Sequence, residues 1–136
     1  MLTVNYWAIL VSGVIYMIVG STWYSPIMFG NRWIKLMGWT PEQIEKCKKK
    51  NMGVTYSIMF IGSLVTSFIL AQFIQYTDAA TWAEGAETGF WIWVGFIAPV
   101  ALSGYLFEGK KWELFGINVG YNLVCLVVTG AILAIW

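Results

Sequence analysis

Histidine is absent from this 136-residue sequence, and only two cysteines are present. The missing histidine removes the commonest general base and metal ligand of proteins. Cys47 lies in a basic segment and Cys125 in a long apolar one, so we do not expect them to form a redox pair or a zinc site. The sequence also has no glycine-rich phosphate loop and no nucleophile-elbow serine. We therefore expect a protein that is not an enzyme and that uses no cofactor or metal.

Charged residues are scarce too, at 11% of the chain, whereas 59% of the residues are hydrophobic. The charges fall into three short stretches that leave four charge-free runs. Each run reaches the roughly 20 residues that cross a bilayer as a helix. The sequence predicts an all-α, polytopic membrane protein in which residues 1–136 form one domain, a bundle of four transmembrane helices. The predicted spans are about 3–26, 52–76, 87–107 and 114–136, with a cytoplasmic connection at 27–51.

The middle connection lacks basic residues and carries three acidic ones. All eight basic residues lie in the connections after spans one and three: Arg32, Lys35, Lys46, Lys48, Lys49, Lys50, Lys110 and Lys111. The positive-inside rule therefore predicts that both of these connections are cytoplasmic. We expect a multi-pass protein of the plasma membrane whose N and C termini lie outside.

The first connection is predicted to contain two short helices. After Pro26, apolar residues recur at helical spacing, which indicates an amphipathic helix in the membrane interface. Thr40 and Gln43 then have the spacing of a capping box around Pro41, which predicts the start of a second helix.

Span three contains Pro99 four residues after Gly95. Proline lacks a backbone donor and opens the hydrogen-bond ladder of a membrane helix, so we expect a kink here. Gly95 and Pro99 are either a moving hinge or a fixed bend that serves packing.

The spans contain no charged residue, so a proton relay through buried carboxylates is not expected. Neutral polar residues remain. At about 100° per residue, four of them in span four lie within about 60° of one another and form a stripe: Asn118, Asn122, Cys125 and Thr129. Span one has a comparable stripe that includes Ser12 and Tyr16. The two stripes either line a polar path or hold the helices together by hydrogen bonds.

Span four also has Gly116 and Gly120 opposite its polar stripe, and this small-residue pair predicts close approach of a neighbouring backbone. A second pattern occurs twice where a span meets a basic connection: an aromatic residue, then glycine, a base and tryptophan. It indicates either an internal repeat of two like-oriented hairpins or shared interfacial chemistry. The predicted interfacial motif consists of Trp23, Pro26, Arg32, Trp33, Lys111 and Trp112.

The motifs Trp23-Tyr24-Ser25-Pro26, Leu106-Phe107-Glu108-Gly109 and Gly120-Tyr121-Asn122-Leu123 give the chain a family resemblance over nearly its whole length. It resembles the small, mainly bacterial membrane proteins grouped as domain of unknown function 1761. The resemblance implies about four spans and a bacterial inner (cytoplasmic) membrane location, and it implies no activity, substrate or catalytic residue.

Two functions are compatible with these features. One is a homo-oligomeric channel or small transporter for a neutral or weakly charged solute, which the polar stripes and the kink favour. The other is a non-catalytic accessory or scaffolding subunit of a membrane complex, or a lipid-organising protein. It is favoured by the basic connection and by the nine tryptophans, which we expect mainly in belts at the two membrane interfaces. Membrane lipids are expected partners, a larger membrane complex is a further one, and no nucleic acid is expected. A lipid-handling enzyme would need a site around Arg32, Glu108 and Glu113, which we interpret as solvated interface charges.

Overall fold

The computed structural model describes residues 3–136, which fold into helices joined by short turns, with no strand among them. A π-helical segment, Trp93–Ile97, continues α5 into α6. The helices are α1 Tyr6–Trp23, α2 Gly30–Met37, α3 Pro41–Lys49, α4 Met52–Tyr76, α5 Trp82–Ile92, α6 Ala98–Glu108 and α7 Trp112–Ile135.

Four helical stretches are long and apolar enough to cross a membrane: α1, α4, the combined stretch from α5 to α6, and α7. They confirm the prediction of an all-α membrane protein with four spans. The third stretch begins before the predicted boundary at residue 87 because Thr81 and Glu84 form a capping box. Thr81 Oγ1 accepts the Glu84 N–H at 3.2 Å, and the Glu84 carboxylate accepts the Thr81 N–H at 3.0 Å.

The long helices alternate in direction and form two hairpins, α1 with α4 and α5–α6 with α7. α7 lies at the centre because it packs against α1, α4, α5 and α6. We call the end of the bundle with the two basic connections the basic end. The opposite end, which holds the C terminus and the turn between α4 and α5, is called the terminal end. The hairpins have the same direction, as the repeated motif predicted.

Glycines allow α5 and α7 to pack with their backbones in contact. A Cβ at Gly85 would overlap the Gly130 carbonyl, and a Cβ at Gly89 would overlap the Leu126 carbonyl. The prediction of close approach at Gly116 and Gly120 was wrong. Gly116 has open space beside it and Gly120 faces the Trp23 ring, because the opposite end of α7 meets α5.

The apolar core lies mainly in the terminal half of the bundle. Its two clusters are Val4, Ile9 and Ala71, and Leu70, Ile74 and Leu126. α6, in the basic half, contains no buried residue. The helices are therefore tightly packed near the terminal end and less covered near the basic end.

The first connection folds as predicted, with α2 as the amphipathic helix and a capping box at the start of α3. Thr40 Oγ1 accepts the Gln43 N–H at 3.3 Å, and Gln43 Oε1 accepts the Thr40 N–H at 2.9 Å. Gly38 ends α2 with φ of 69°, a conformation that glycine adopts without strain.

Candidate functional site

A cavity of about 180 Å³ lies between α1, α4 and α7 in the basic half of the bundle. α1 and α4 approach closely at Gly13, where an added Cβ would meet Leu64, and then separate towards the basic end. The first buried residue of α4 is Ser63, so the preceding turns of α4 leave space beside α1. The cavity is lined by Tyr16, Met17, Gly20, Ser21, Tyr24, Tyr56, Met59 and Tyr121.

Hydrogen bonds hold the tyrosine side chains around this cavity. The Tyr24 hydroxyl donates to Asn118 Oδ1 at 2.8 Å, and Asn118 Nδ2 donates in turn to the Tyr105 hydroxyl. The Tyr121 hydroxyl donates to the Tyr16 carbonyl at 3.3 Å. Asn118 therefore joins α1, α6 and α7 directly behind the cavity.

Fully buried polar residues close the cavity towards the terminal end. Cys125 and Thr129 of α7 are 0% exposed, as are Ser12 of α1 and Ser67 of α4; we call these four residues the sealed layer. Thr129 Oγ1 donates to the Cys125 carbonyl at 2.6 Å. Within residues 3–136, the Ser12 and Ser67 hydroxyls are buried without a hydrogen-bond partner.

The polar stripe predicted on α7 therefore divides into two parts. Asn118 lies behind the cavity through its bond with Tyr24, and the half-buried Asn122, one helical turn further along, donates from Nδ2 to the Asn118 carbonyl at 3.2 Å. Cys125 and Thr129 belong to the sealed layer with Ser12, and Tyr16 lies between the two parts. The stripes on spans one and four lie on helices that pack against each other, and Ser12, Tyr16, Cys125 and Thr129 are all buried.

The sequence did not identify Tyr24, Tyr56, Tyr105 and Tyr121 as a group. A signal was present on α1, where Tyr16, Gly20 and Tyr24 recur every four residues and so share one helix face. Tyr56 of α4 and Tyr121 of α7 have no such spacing, because they reach the cavity through tertiary packing alone, and Tyr105 of α6 is joined to it only through Asn118.

α2 is fixed beside the basic end of the cavity by one ion pair and by ring contacts. Arg32 Nε and Nη2 donate to the two Glu113 carboxylate oxygens at 2.5 and 2.6 Å. This hydrogen-bonded partner raises the pKa of the Arg32 guanidinium above its ordinary value. The Trp33 ring lies 5.6 Å from Tyr24 and 5.2 Å from Trp39, centre to centre. Trp33 Nε1 is buried without a partner in the described part of the chain.

Other residues of the predicted interfacial motif lie at separate places. Trp23 Nε1 donates to the Ile117 carbonyl at 2.9 Å, so this indole packs inside the bundle. Pro26, Lys111 and Trp112 are exposed at the basic end. Trp93, at the start of the π-helical segment, also donates to a carbonyl of α7, that of Val119, at 2.8 Å.

The predicted kink in span three corresponds to the π-helical segment. The Ala98 N–H bonds the Trp93 carbonyl, five residues back, immediately before Pro99. Gly95 and Pro99 are both exposed on the bundle surface and do not line the cavity. π-Helical turns are frequent at functional sites, and this segment is a candidate hinge.

Residues 3–136 contain no group of three or more His, Cys, Asp or Glu side chains that could hold a metal ion. Cys47 and Cys125 are both free thiols. The other candidate charges are paired at the surface, where Glu108 lies 2.7 Å from Lys110 and raises the pKa of that ammonium group through a hydrogen bond. The cavity can therefore bind a ligand through neutral hydrogen bonds and aromatic contacts.

Comparison with known proteins gives one match. The model of a family described as "Protein of unknown function (DUF1761)" matches residues 7–134 and confirms the resemblance seen in the sequence. No curated protein and no solved structure matches the chain.

Proposed function

The chain belongs to the DUF1761 family of proteins of unknown function, and on that premise we propose that it is a small transporter for a neutral or weakly charged solute. The observation that carries the proposal is the one-sided cavity. Its mainly apolar lining carries tyrosine and serine hydroxyls, an amide, Asn118, lies behind it, and it ends at residues that are fully buried.

The sealed layer favours a transporter over an open channel. A solute in the cavity would meet Cys125 and Thr129, both 0% exposed, on its way to the terminal end. Passage then requires a change of helix packing, and the π-helical segment beside Pro99 offers a place for it. We propose that the protein works as a homo-oligomer, since four helices enclose little volume, and that it lies in the bacterial cytoplasmic membrane with its basic end inside.

Flux through purified protein in liposomes tests this function. We expect faster light-scattering changes than in protein-free liposomes with at least one of three probes: glycerol, urea or choline. Asn118→Leu and Asn122→Leu should slow that flux, because Asn118 holds the lining residue Tyr24 and Asn122 continues the same polar stripe one turn further along. Ser57→Ala is the matched control, since Ser57 is exposed and bonds only the Gly53 carbonyl of its own helix.

Two results would overturn the transporter proposal. One is the absence of any acceleration with all three probes. The other is unchanged flux in both asparagine variants, which would remove the polar stripe from the mechanism. Thermal unfolding of each variant in detergent shows whether it is folded.

A second candidate function is that of a non-catalytic accessory or lipid-organising protein. It is favoured by α3, which has no buried residue and carries four lysines at its end: Lys46, Lys48, Lys49 and Lys50. A basic surface of this kind attracts anionic lipid headgroups. Gentle extraction followed by mass measurement distinguishes the candidates, because co-purifying proteins support the accessory role and a homo-oligomer alone supports the transporter.

A further inference from the structure

We propose that the solute held in the cavity between α1, α4 and α7 carries a methylated ammonium group. This inference rests on the proposed function for its transport context, and it narrows the solute to one with a single positive charge spread over methyl groups. It follows from the groups that line the cavity, which are aromatic rings, thioethers and uncharged hydroxyl groups.

Two of the lining tyrosines have hydroxyl groups that are hydrogen-bonded to the protein. Tyr24 donates to Asn118 Oδ1, and Tyr121 donates to the Tyr16 carbonyl. A phenol that donates its proton keeps oxygen lone pairs as acceptors. The remaining lining hydroxyls are those of Tyr16, which is buried, and of Tyr56 and Ser21, which lie at the exposed rim. The lining therefore combines four tyrosine rings with hydroxyl groups that carry no charge.

Among residues 3–136, no charged side chain lines the cavity. Arg32 and Glu113, which hold α2 at this end of the bundle, pair with each other. An anion would find no basic side chain in this lining. A primary ammonium is a compact, strongly hydrated charge, and the lining has no carboxylate to replace its hydration. A methylated ammonium has few or no N–H groups and is attracted by aromatic faces.

Aromatic rings and two thioethers line the space. Tyr24 and Tyr121 form an edge-to-face pair with centres 5.6 Å apart, and two thioethers, Met17 and Met59, complete the wall. Polarisable sulfur adapts to irregular ligands. The cavity of about 180 Å³ also exceeds the roughly 150 Å³ that accommodates benzene in a protein core. A trimethylammonium group therefore fits by size and by chemistry.

Such a group has two sources, a free solute or a lipid headgroup. Tyr56 is 47% exposed and Met59 is 48% exposed, so the rim of the cavity opens at the side of the bundle near the basic end. The same rim admits a soluble ion or a headgroup from the adjacent leaflet. The experiment therefore has two parts, one for a free solute and one for a lipid headgroup.

The first arm measures binding to the full chain in detergent by calorimetry. The ligands are choline, its neutral carbon isostere 3,3-dimethylbutan-1-ol, and ethanolamine. We expect choline to bind on the order of tenfold more tightly than the other two, the effect of a partly desolvated cation–π contact. In the second arm, native mass spectrometry compares retention of phosphatidylcholine with that of phosphatidylethanolamine. Preferential phosphatidylcholine retention that choline displaces assigns the site to a headgroup, and choline binding without it assigns the site to a free solute.

Variants on α4 locate the binding. Tyr56→Leu should weaken choline binding roughly three- to tenfold, because it removes a ring at the rim, whereas Tyr56→Phe should retain it. Tyr76→Leu is the matched control, since Tyr76 is an exposed tyrosine at the other end of the same helix. Equal loss in Tyr56→Leu and Tyr76→Leu would overturn the assignment to this cavity.

The remaining outcomes separate the two proposals. Equal binding of choline and its isostere, or binding of neither together with no preference for phosphatidylcholine, would overturn the methylated-ammonium inference. Choline binding without flux of any probe would contradict the transporter proposal and support the methylated-ammonium inference. Flux of glycerol or urea without choline binding would support the transporter proposal and contradict the methylated-ammonium inference.

Discussion

Three glycines allow α5 and α7 to approach closely because they have no Cβ atom. At Gly85, Gly89 and Gly130 the two backbones occupy the space that a methyl group would need. These contacts hold the terminal half closed, and with it the sealed layer that Cys125 and Thr129 contribute to. Small residues are the usual means by which membrane helices pack this closely.

At this scale we predict that Gly130→Ala destabilises the protein. The added Cβ would overlap the Gly85 carbonyl, and overpacking of this kind costs about 1–3 kcal/mol or more. Gly116→Ala is the control on the same helix, because nothing lies within 4 Å of a Cβ there. Thermal unfolding in detergent should show a lower midpoint temperature for Gly130→Ala than for the unsubstituted protein, and no such decrease for Gly116→Ala. Equal midpoints for the two variants would contradict the close packing of α5 and α7.

At the scale of the elements, α2 is held by contacts rather than by the chain alone. The Arg32–Glu113 pair joins it to the first turn of α7, and both side chains are about half exposed, at 48% and 49%. A partly solvated pair fixes position and adds little to global stability. Trp33 transmits that position to Tyr24 at the cavity.

We therefore predict that Glu113→Ala loosens α2 without unfolding the bundle. Amides of Gly30–Met37 should exchange hydrogen roughly two- to fivefold faster, the range expected for a partly exposed pair, while amides of α7 keep their protection. Glu108→Ala serves as the comparison, since Glu108 pairs with Lys110 and not with α2. Unchanged exchange in α2 would mean that the ion pair does not hold it.

Much of the element scale could be predicted from the sequence, because local chemistry determines it. The capping box of Thr40 and Gln43 and the break beside Pro99 depend on neighbours within a few residues. The pairing of Gly130 with Gly85, and of Tyr24 with Asn118, depends on which helix faces are opposed. Periodicity identifies the polar face of α7 but cannot say that Cys125 is sealed and Asn118 is beside a cavity.

At the scale of the whole molecule, the two hairpins share one direction, so the basic connections lie together at one end. The charge distribution predicts that this end is cytoplasmic. The opposite end carries two acidic residues, Asp78 in the turn after α4 and Glu84 at the start of α5.

Two reporters fused after Trp136 test this orientation. A fluorescent protein that matures only in the cytoplasm should remain dark, and alkaline phosphatase, which is active only outside, should be active. The reverse pair of results would place the termini inside and turn the cavity towards the outer leaflet.

The cavity is open at the basic end and closed by the sealed layer. Thiol modification in lipid nanodiscs measures this difference in access most directly, because a charged methanethiosulfonate reagent reaches both faces of the disc. In a Cys47→Ser background, native Cys125 reports on the sealed layer and Ser21→Cys reports on the cavity rim. We predict rapid modification at position 21 and protection of Cys125. Modification of Cys125 as fast as that at position 21 would contradict the claim.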